Sequence, residues 1–389
     1  MENSRLKFNY DDVVIIPDVS TNIISRNQCD WKTSEGISPI WVAPMDSVVN
    51  DENWKIFYDA SVNVVIPRSV NFEKRIEMFI DFSKYANFSP FISFSLQETI
   101  KIFKTKNKIT VLLNKESESN RVFRFCIDMA NGHMTEQMNL IKEIKDVYGD
   151  RVKIMGGNIA NPKTYELYDK AGCDYLRVGI GGGSGCLTSS CVAIHFPLFS
   201  LMKETYEIKK KIGGKCKIIA DGGIRDFRDI QKALIYADYV MIGGIFNKAI
   251  ESAGKTTYGS FYWNIRGKKI YRPIKSLIYY GKEVPKKKYS DVVKLIKENK
   301  VTIWKEFYGM STKRAQENIL KGNNKAIDVK LLKTSEGIIT HQKVEYSVFG
   351  WMRNEIDYLR SAMSYTNSRN LEEYKESEWV TVNEIKYNR

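Results

Sequence analysis

The chain has 389 residues, 43% hydrophobic and 27% charged, the composition of a globular protein with a substantial core. No apolar run approaches the roughly 18 residues of a membrane span, and "MENSRLKFNYDD" lacks the apolar stretch of a secretory signal, so a cytoplasmic protein without a membrane partner is expected. Six scattered cysteines and three histidines exclude a small disulfide framework and argue against a zinc site; the +14 net charge lacks a nucleic-acid-binding motif and suits attraction of phosphorylated small molecules.

In chain order, residues 1–38 precede the first strand pattern and are expected to cover the bottom or side of the fold. Short β-branched runs then predict strands at 39–44, 63–67, 91–95, 123–129, 152–157, 174–179, 217–223 and 238–244. Amphipathic stretches such as 134–149 and 162–172 lie between them as helices. Continuous apolar strands alternating with helices indicate a parallel sheet buried on both faces. Eight such units predict an α/β fold of the (β/α)₈ TIM-barrel type. An open doubly wound sheet is the alternative, but its glycine fingerprint belongs after the first strand, which here ends in "APMDS".

Residues 245–340 are far longer than an ordinary connection and predict an extended flap insertion after the eighth strand, with "YSDVVKLIKENK" as an inserted helix. Residues 341–389 are expected to return as a strand and closing helix of the same single barrel domain.

Polar and glycine residues gather where the strands end: Asp46, Arg68, Asp128, Asn131, Asn158, the 179–186 loop, Asp221, Gly222, Gly223, Gly243 and Gly244. In a barrel these endings meet on the C-terminal rim, where active sites lie. The loop "GIGGGSGCLTSSC" (179–191) offers backbone N–H groups to an oxyanion, with Ser184 as a further donor. The paired glycines after strands seven and eight extend that cradle, so a phosphorylated ligand across the rim is expected. A free thiol is only about 3% thiolate at pH 7, and an anion-binding loop would raise that fraction at Cys186. Thr188 is placed to orient a water or leaving group. Taken alone, the loop leaves Cys186 open to either reading, nucleophile or packed thiol; Cys191 reads as a bystander.

"GIGGGSGCLT" resembles the "GIGPGSxCxT" loop of the IMP dehydrogenase/GMP reductase family. "FNYDDVVIIP", "SR" (25–26), "APMDSV", "DMANGH", "GGNI", "IIADGGIRDFRDIQKAL", "VMIGG", "EFYGMS", "SEG" (335–337) and "RSAMSY" follow in the family's order, leaving about 250–304 without counterpart. Strand two runs directly into strand three, with no room for the dehydrogenase branch's usual regulatory module. No "RY" pair stands between "FYGMS" and "SEG", and "DMANGH" and "FYGMS" are more similar to the reductase forms.

The resemblance implies NADPH-dependent reductive deamination of GMP to IMP and ammonia. In its terms Cys186 attacks C2 of the purine, while Thr188 and Glu336 handle protons. Ser184, Asp221, Gly222, Gly223, Gly243, Gly244, Tyr308, Gly309 and Met310 hold the nucleotide. Arg68, Asp128, Asn131 and Asn158 face the cofactor. It also implies a K+ site on the backbone of Gly181, Gly183 and Cys186, and a homo-oligomer, commonly a tetramer. IMP oxidation with NAD and an inert nucleotide-binding protein are the alternatives. Departures from the family pattern are Gly182 for the loop proline, Leu187 for a threonine and Ser189 for a common basic residue.

Overall fold

Eight parallel strands close on themselves. They are β2 (Ile40–Val42), β3 (Asn63–Ile66), β4 (Phe91–Phe94), β5 (Phe123–Ile127), β6 (Val152–Ile159), β7 (Tyr175–Val178), β8 (Lys217–Asp221) and β9 (Tyr239–Ile242), with β9 pairing back onto β2 through Ile40 and Val240. They follow a short strand, β1 (Val13–Ile15). This computed structural model describes residues 6–84, 90–115, 120–183, 187–263, 269–274, 278–279, 282–283, 302–322, 332, 334–335 and 337–382. Each of the eight expected strands is present, trimmed or extended by one to three residues, and the expected helices are Thr135–Tyr148 and Thr164–Lys170. Closure removes both edges of the sheet and excludes the doubly wound alternative.

The alternation of side chains along each strand divides the core into two shells. Leu176 and Val178 of β7 point outward into the main cluster between strands and helices, whereas Tyr175 points into the barrel. There Trp41, Phe91, Tyr175 and Tyr239 form a buried aromatic layer, with Trp41 meeting the other three edge-on at 5.3–6.0 Å. Such pairs contribute about 0.5–1.5 kcal/mol each beyond the area they bury. The hydroxyls of Tyr175 and Tyr239, at the starts of their strands, donate to Glu35. Part of the N-terminal segment thus covers the barrel's lower end. Another part runs up its side, where Lys232 Nζ donates to the Tyr10 carbonyl at 2.8 Å.

Beyond the barrel, β10 (Thr256–Trp263), β11 (Lys269–Ile274), β12 (Ile278–Tyr279), β13 (Lys282–Glu283), β14 (Thr302–Tyr308), β15 (Ile339–Lys343) and β16 (Trp379–Thr381) complete the chain. β11, β10, β14 and β15 form an antiparallel sheet in that order, β12 pairs with β13, and β16 pairs with β1. The segment after the eighth strand therefore contains a sheet and a helix, Lys313–Gly322, that periodicity reading left unresolved. The helix expected at "YSDVVKLIKENK" lies outside the described residues. The closing helix is Val348–Tyr365, capped by Ser347, whose side chain accepts from Gly350 N.

Candidate active site

β7 reads "YLRV", and Arg177 stands two residues after the inward Tyr175, so it too projects inside the barrel, one layer nearer the C-terminal rim. Its side chain is only 10% exposed, and a guanidinium there must be paired. Nη1 donates to Asp128 Oδ1 at 2.7 Å and Nε to Asp221 Oδ2 at 2.8 Å. Asn158 Nδ2 donates to the same Asp221 oxygen at 2.7 Å and to the Gly179 carbonyl at 3.0 Å. Arg68 Nη1 donates to the Asp128 carbonyl at 2.9 Å, and its Nε stands 3.7 Å from Asp128 Oδ2. Four residues expected at the rim, Arg68, Asp128, Asn158 and Asp221, thus meet around a fifth.

Burial would raise the Asp128 carboxyl, but Arg177 and Arg68 hold it below the ordinary range. Burial likewise opposes the charge on Arg177, and the carboxylates of Asp221 and Asp128 more than restore it. Asp221 Oδ1 has no hydrogen-bond partner among the described residues, and the buried Arg68 Nε has only the Asp128 carboxylate, at 3.7 Å. An acceptor oxygen held this way suits a polar ligand that supplies a hydroxyl.

The glycine loop packs against this centre by backbone. Gly179 adopts φ +136°, and a Cβ there would stand 2.1 Å from the Asp221 carbonyl oxygen. Gly223, at φ +72°, approaches the Gly182 carbonyl, and Gly182 approaches Gly223 N. The 179–183 loop and the Gly222–Gly223 turn therefore form one continuous surface. After it, Thr188 opens the short helix Thr188–Val192, Ser189 Oγ donates to the Gly181 carbonyl at 3.1 Å, and Cys191 is exposed. Ser184, Cys186 and Glu336 lie outside the described residues.

Another part of the same rim, after β2, is organised by Asp46. Tyr308 donates its hydroxyl to Asp46 Oδ2 at 3.2 Å, and Asn318 Nδ2 donates to the same oxygen at 2.7 Å. Burial raises the Asp46 carboxyl above its ordinary range in spite of these bonds. Ser47 Oγ donates to the Tyr308 carbonyl at 3.2 Å, so the loop after β2 holds the end of β14, from which Gly309 and Met310 lead into the helix Lys313–Gly322. Gly243 and Gly244 follow β9, Gly244 opening the short helix Gly244–Asn247, and the Met45 sulfur would lie 2.7 Å from a Cβ at Gly243.

Asn131 is exposed, and its side chain accepts from His133 N at 3.1 Å rather than entering the Arg177 network. His133 joins two rim loops. Nε2 accepts from Ala160 N at 3.0 Å, which makes Nδ1 the protonated nitrogen, donating to Thr164 Oγ1 at 3.0 Å. Burial lowers its pKa and favours this neutral form.

Arg177, Asn318 and His133 are the site residues that sequence reasoning missed. For Arg177 the signal is a lone cation at an inward position of an otherwise apolar strand. For Asn318 and His133 no local pattern marks a role. Among the described residues no cluster of three or more metal-ligating side chains occurs, and no helix is long and apolar enough to cross a membrane.

Residues 7–303 match the family described as "IMP dehydrogenase / GMP reductase domain". Among curated proteins the chain is similar to the GMP reductase of Staphylococcus epidermidis, with 30% identity over 254 residues, 64% of this chain and 74% of that protein. The GMP reductase of Staphylococcus aureus is similar at the same identity and coverage.

Proposed function

The chain belongs to the IMP dehydrogenase/GMP reductase family of oxidoreductases, and from that premise we propose that it is an NADPH-dependent GMP reductase. The observation that carries this reading is the packing of the glycine loop leading to Cys186 against Asp221, whose Oδ1 is unpartnered among the described residues. A nucleoside ribose hydroxyl donates to Asp221 Oδ1, and its phosphate rests on backbone N–H groups of Gly222, Gly223, Gly243 and Gly244 with Ser184. Tyr308, Gly309 and Met310, tied to Asp46 and Ser47, close over the nucleotide from the flap.

In this reading the Cys186 thiolate adds to C2 of GMP, and the 2-amino group leaves as ammonia. Thr188 and Glu336 deliver the protons that make it a leaving group, which calls for a Glu336 pKa near working pH. The thioimidate so formed is reduced at C2, and breaking the C2–S bond releases IMP and the free thiolate. Splitting one hard displacement into two steps is the usual advantage of covalent catalysis. NADPH supplies the hydride when bound. Arg68 and Asp128, paired with each other, suit it, and cofactor roles for Asn158, which bonds Asp221, and Asn131, which stands outside the Arg177 network, belong to the same proposal. The carbonyls of Gly181, Gly183 and Cys186 are the proposed K+ ligands. Assembly into a homotetramer belongs to the same proposal.

The direct test of the chemistry is Cys186→Ala. Turnover is expected to vanish while GMP binding persists. Turnover at more than a few per cent of wild type would overturn the nucleophile assignment.

A further inference from the structure

The two carboxylates at the barrel mouth share one cation, although they sit on different strands, β5's end and β8's end. Arg177 offers Nη1 to Asp128 and Nε to Asp221, using two edges of one rigid plane. A guanidinium turned to follow one carboxylate must move its contact with the other. The set is closed in charge. Arg177 and Arg68 face Asp128 and Asp221, with side chains between 10% and 21% exposed. In so dry a place a mismatch on either side has little solvent to absorb it.

The linkage reaches further on both sides. On one, Asn158 grips Asp221 Oδ2 and the first carbonyl of the glycine loop together. On the other, Asp128 carries Arg68 through both its carbonyl and its carboxylate. From Gly179 to Arg68 the mouth is therefore spanned by one hydrogen-bonded unit with Arg177 at its centre.

We propose that Arg177 is a positioning residue that couples the two ligand subsites. Occupancy of Asp221 by a ribose-bearing purine nucleotide fixes the guanidinium and orients Asp128 for a second, dinucleotide ligand, and the reverse holds by the same free energy. The inference rests on the functional reading that gives Asp221 to the nucleotide and Asp128 to the cofactor.

Calorimetric titration of the full chain with GMP, in the absence and presence of saturating NADP+, tests it, since this pair carries no hydride to transfer. The wild-type chain is expected to bind GMP about tenfold more tightly when NADP+ is bound, within the usual range of such couplings. Arg177→Lys keeps the charge but replaces two fixed arms by one point donor. It is expected to reduce the ratio below about twofold, at some cost in thermal stability, while GMP and NADP+ each still bind alone. If that variant fails to fold, Asp128→Asn cuts the same bridge at its far end and, with NADP+ raised until its own binding isotherm saturates, should bring the ratio to about one while GMP still binds alone. A wild-type ratio retained in whichever variant folds, or no ratio in the wild type, overturns the coupling and leaves the functional reading standing. Binding of neither GMP with NADP+ nor IMP with NAD+ by the wild type overturns both.

Discussion

Replacing Gly179 by alanine tests how the glycine loop and Asp221 depend on each other. The new methyl would stand 2.1 Å from the Asp221 carbonyl oxygen, where contacts closer than 3.0 Å are essentially never tolerated, so the two backbones must part by at least about 0.9 Å. The residue must also hold φ +136°, which costs roughly 1–3 kcal/mol for a side chain with a Cβ. Overpacking adds about 1–3 kcal/mol. The total, about 2–6 kcal/mol, is a large share of the 5–15 kcal/mol typical of a folded domain. Displacing Asp221 by close to 1 Å should lower kcat/KM by about 100-fold. Thermal unfolding and steady-state kinetics with GMP and NADPH measure the two effects. Gly36→Ala serves as the control, because Gly36 also has positive φ but nothing within 4 Å of its Cβ position. It should lose some stability and no activity. A Gly179→Ala protein within twofold of wild-type kcat/KM and with unchanged unfolding would refute the packing argument.

Two titrating groups give further expectations. The native state disfavours protonated His133, so stability should be full above the unfolded imidazole pKa of about 6.5 and decline as pH falls below it. His133→Gln should flatten that part of the curve of unfolding temperature against pH; an unchanged slope would remove His133 as its source. Glu355 is buried on the helix Val348–Tyr365 with Gln231 as its hydrogen-bond partner, and burial raises its carboxyl pKa. A raised acid favours the native state at pH below its unfolded value and loses that contribution as pH rises toward its folded value. Glu355→Gln should therefore unfold at higher temperature than wild type at pH 8 and gain little at pH 4; equal gains at both would contradict it.

The barrel was legible because each β-branched run is buried on both faces, so "NVVI" and "YVMI" carry their strand identity without help from distant residues. Rim residues such as Asp128 and Asp221 were legible as a set because the barrel topology brings every strand end to one side. Arg177 was not singled out, since its partners lie 49 and 44 residues away and nothing local distinguishes a paired cation from an ordinary strand residue. Asp46 was noticed as a strand-end polar group, but its bonds to Tyr308 and Asn318 span more than 260 residues. The strands "TTYGSFYW" and "KIYRPI" carry aromatic and β-branched residues that favour extended structure. The pairing of the first with both the second and "TIWKEFY", across an insertion of uneven composition, was not readable from periodicity.

The central claim is the direction of the chemistry on the purine ring, and product analysis of the wild-type chain tests it most directly. Incubation of the 389-residue chain with GMP and NADPH, with IMP, ammonia and NADP+ quantified together, should give the three products in equal amounts. Failure to form IMP and ammonia, with conversion of IMP and NAD+ to XMP by the same preparation, would contradict the reductase reading and assign the chain to the dehydrogenase branch.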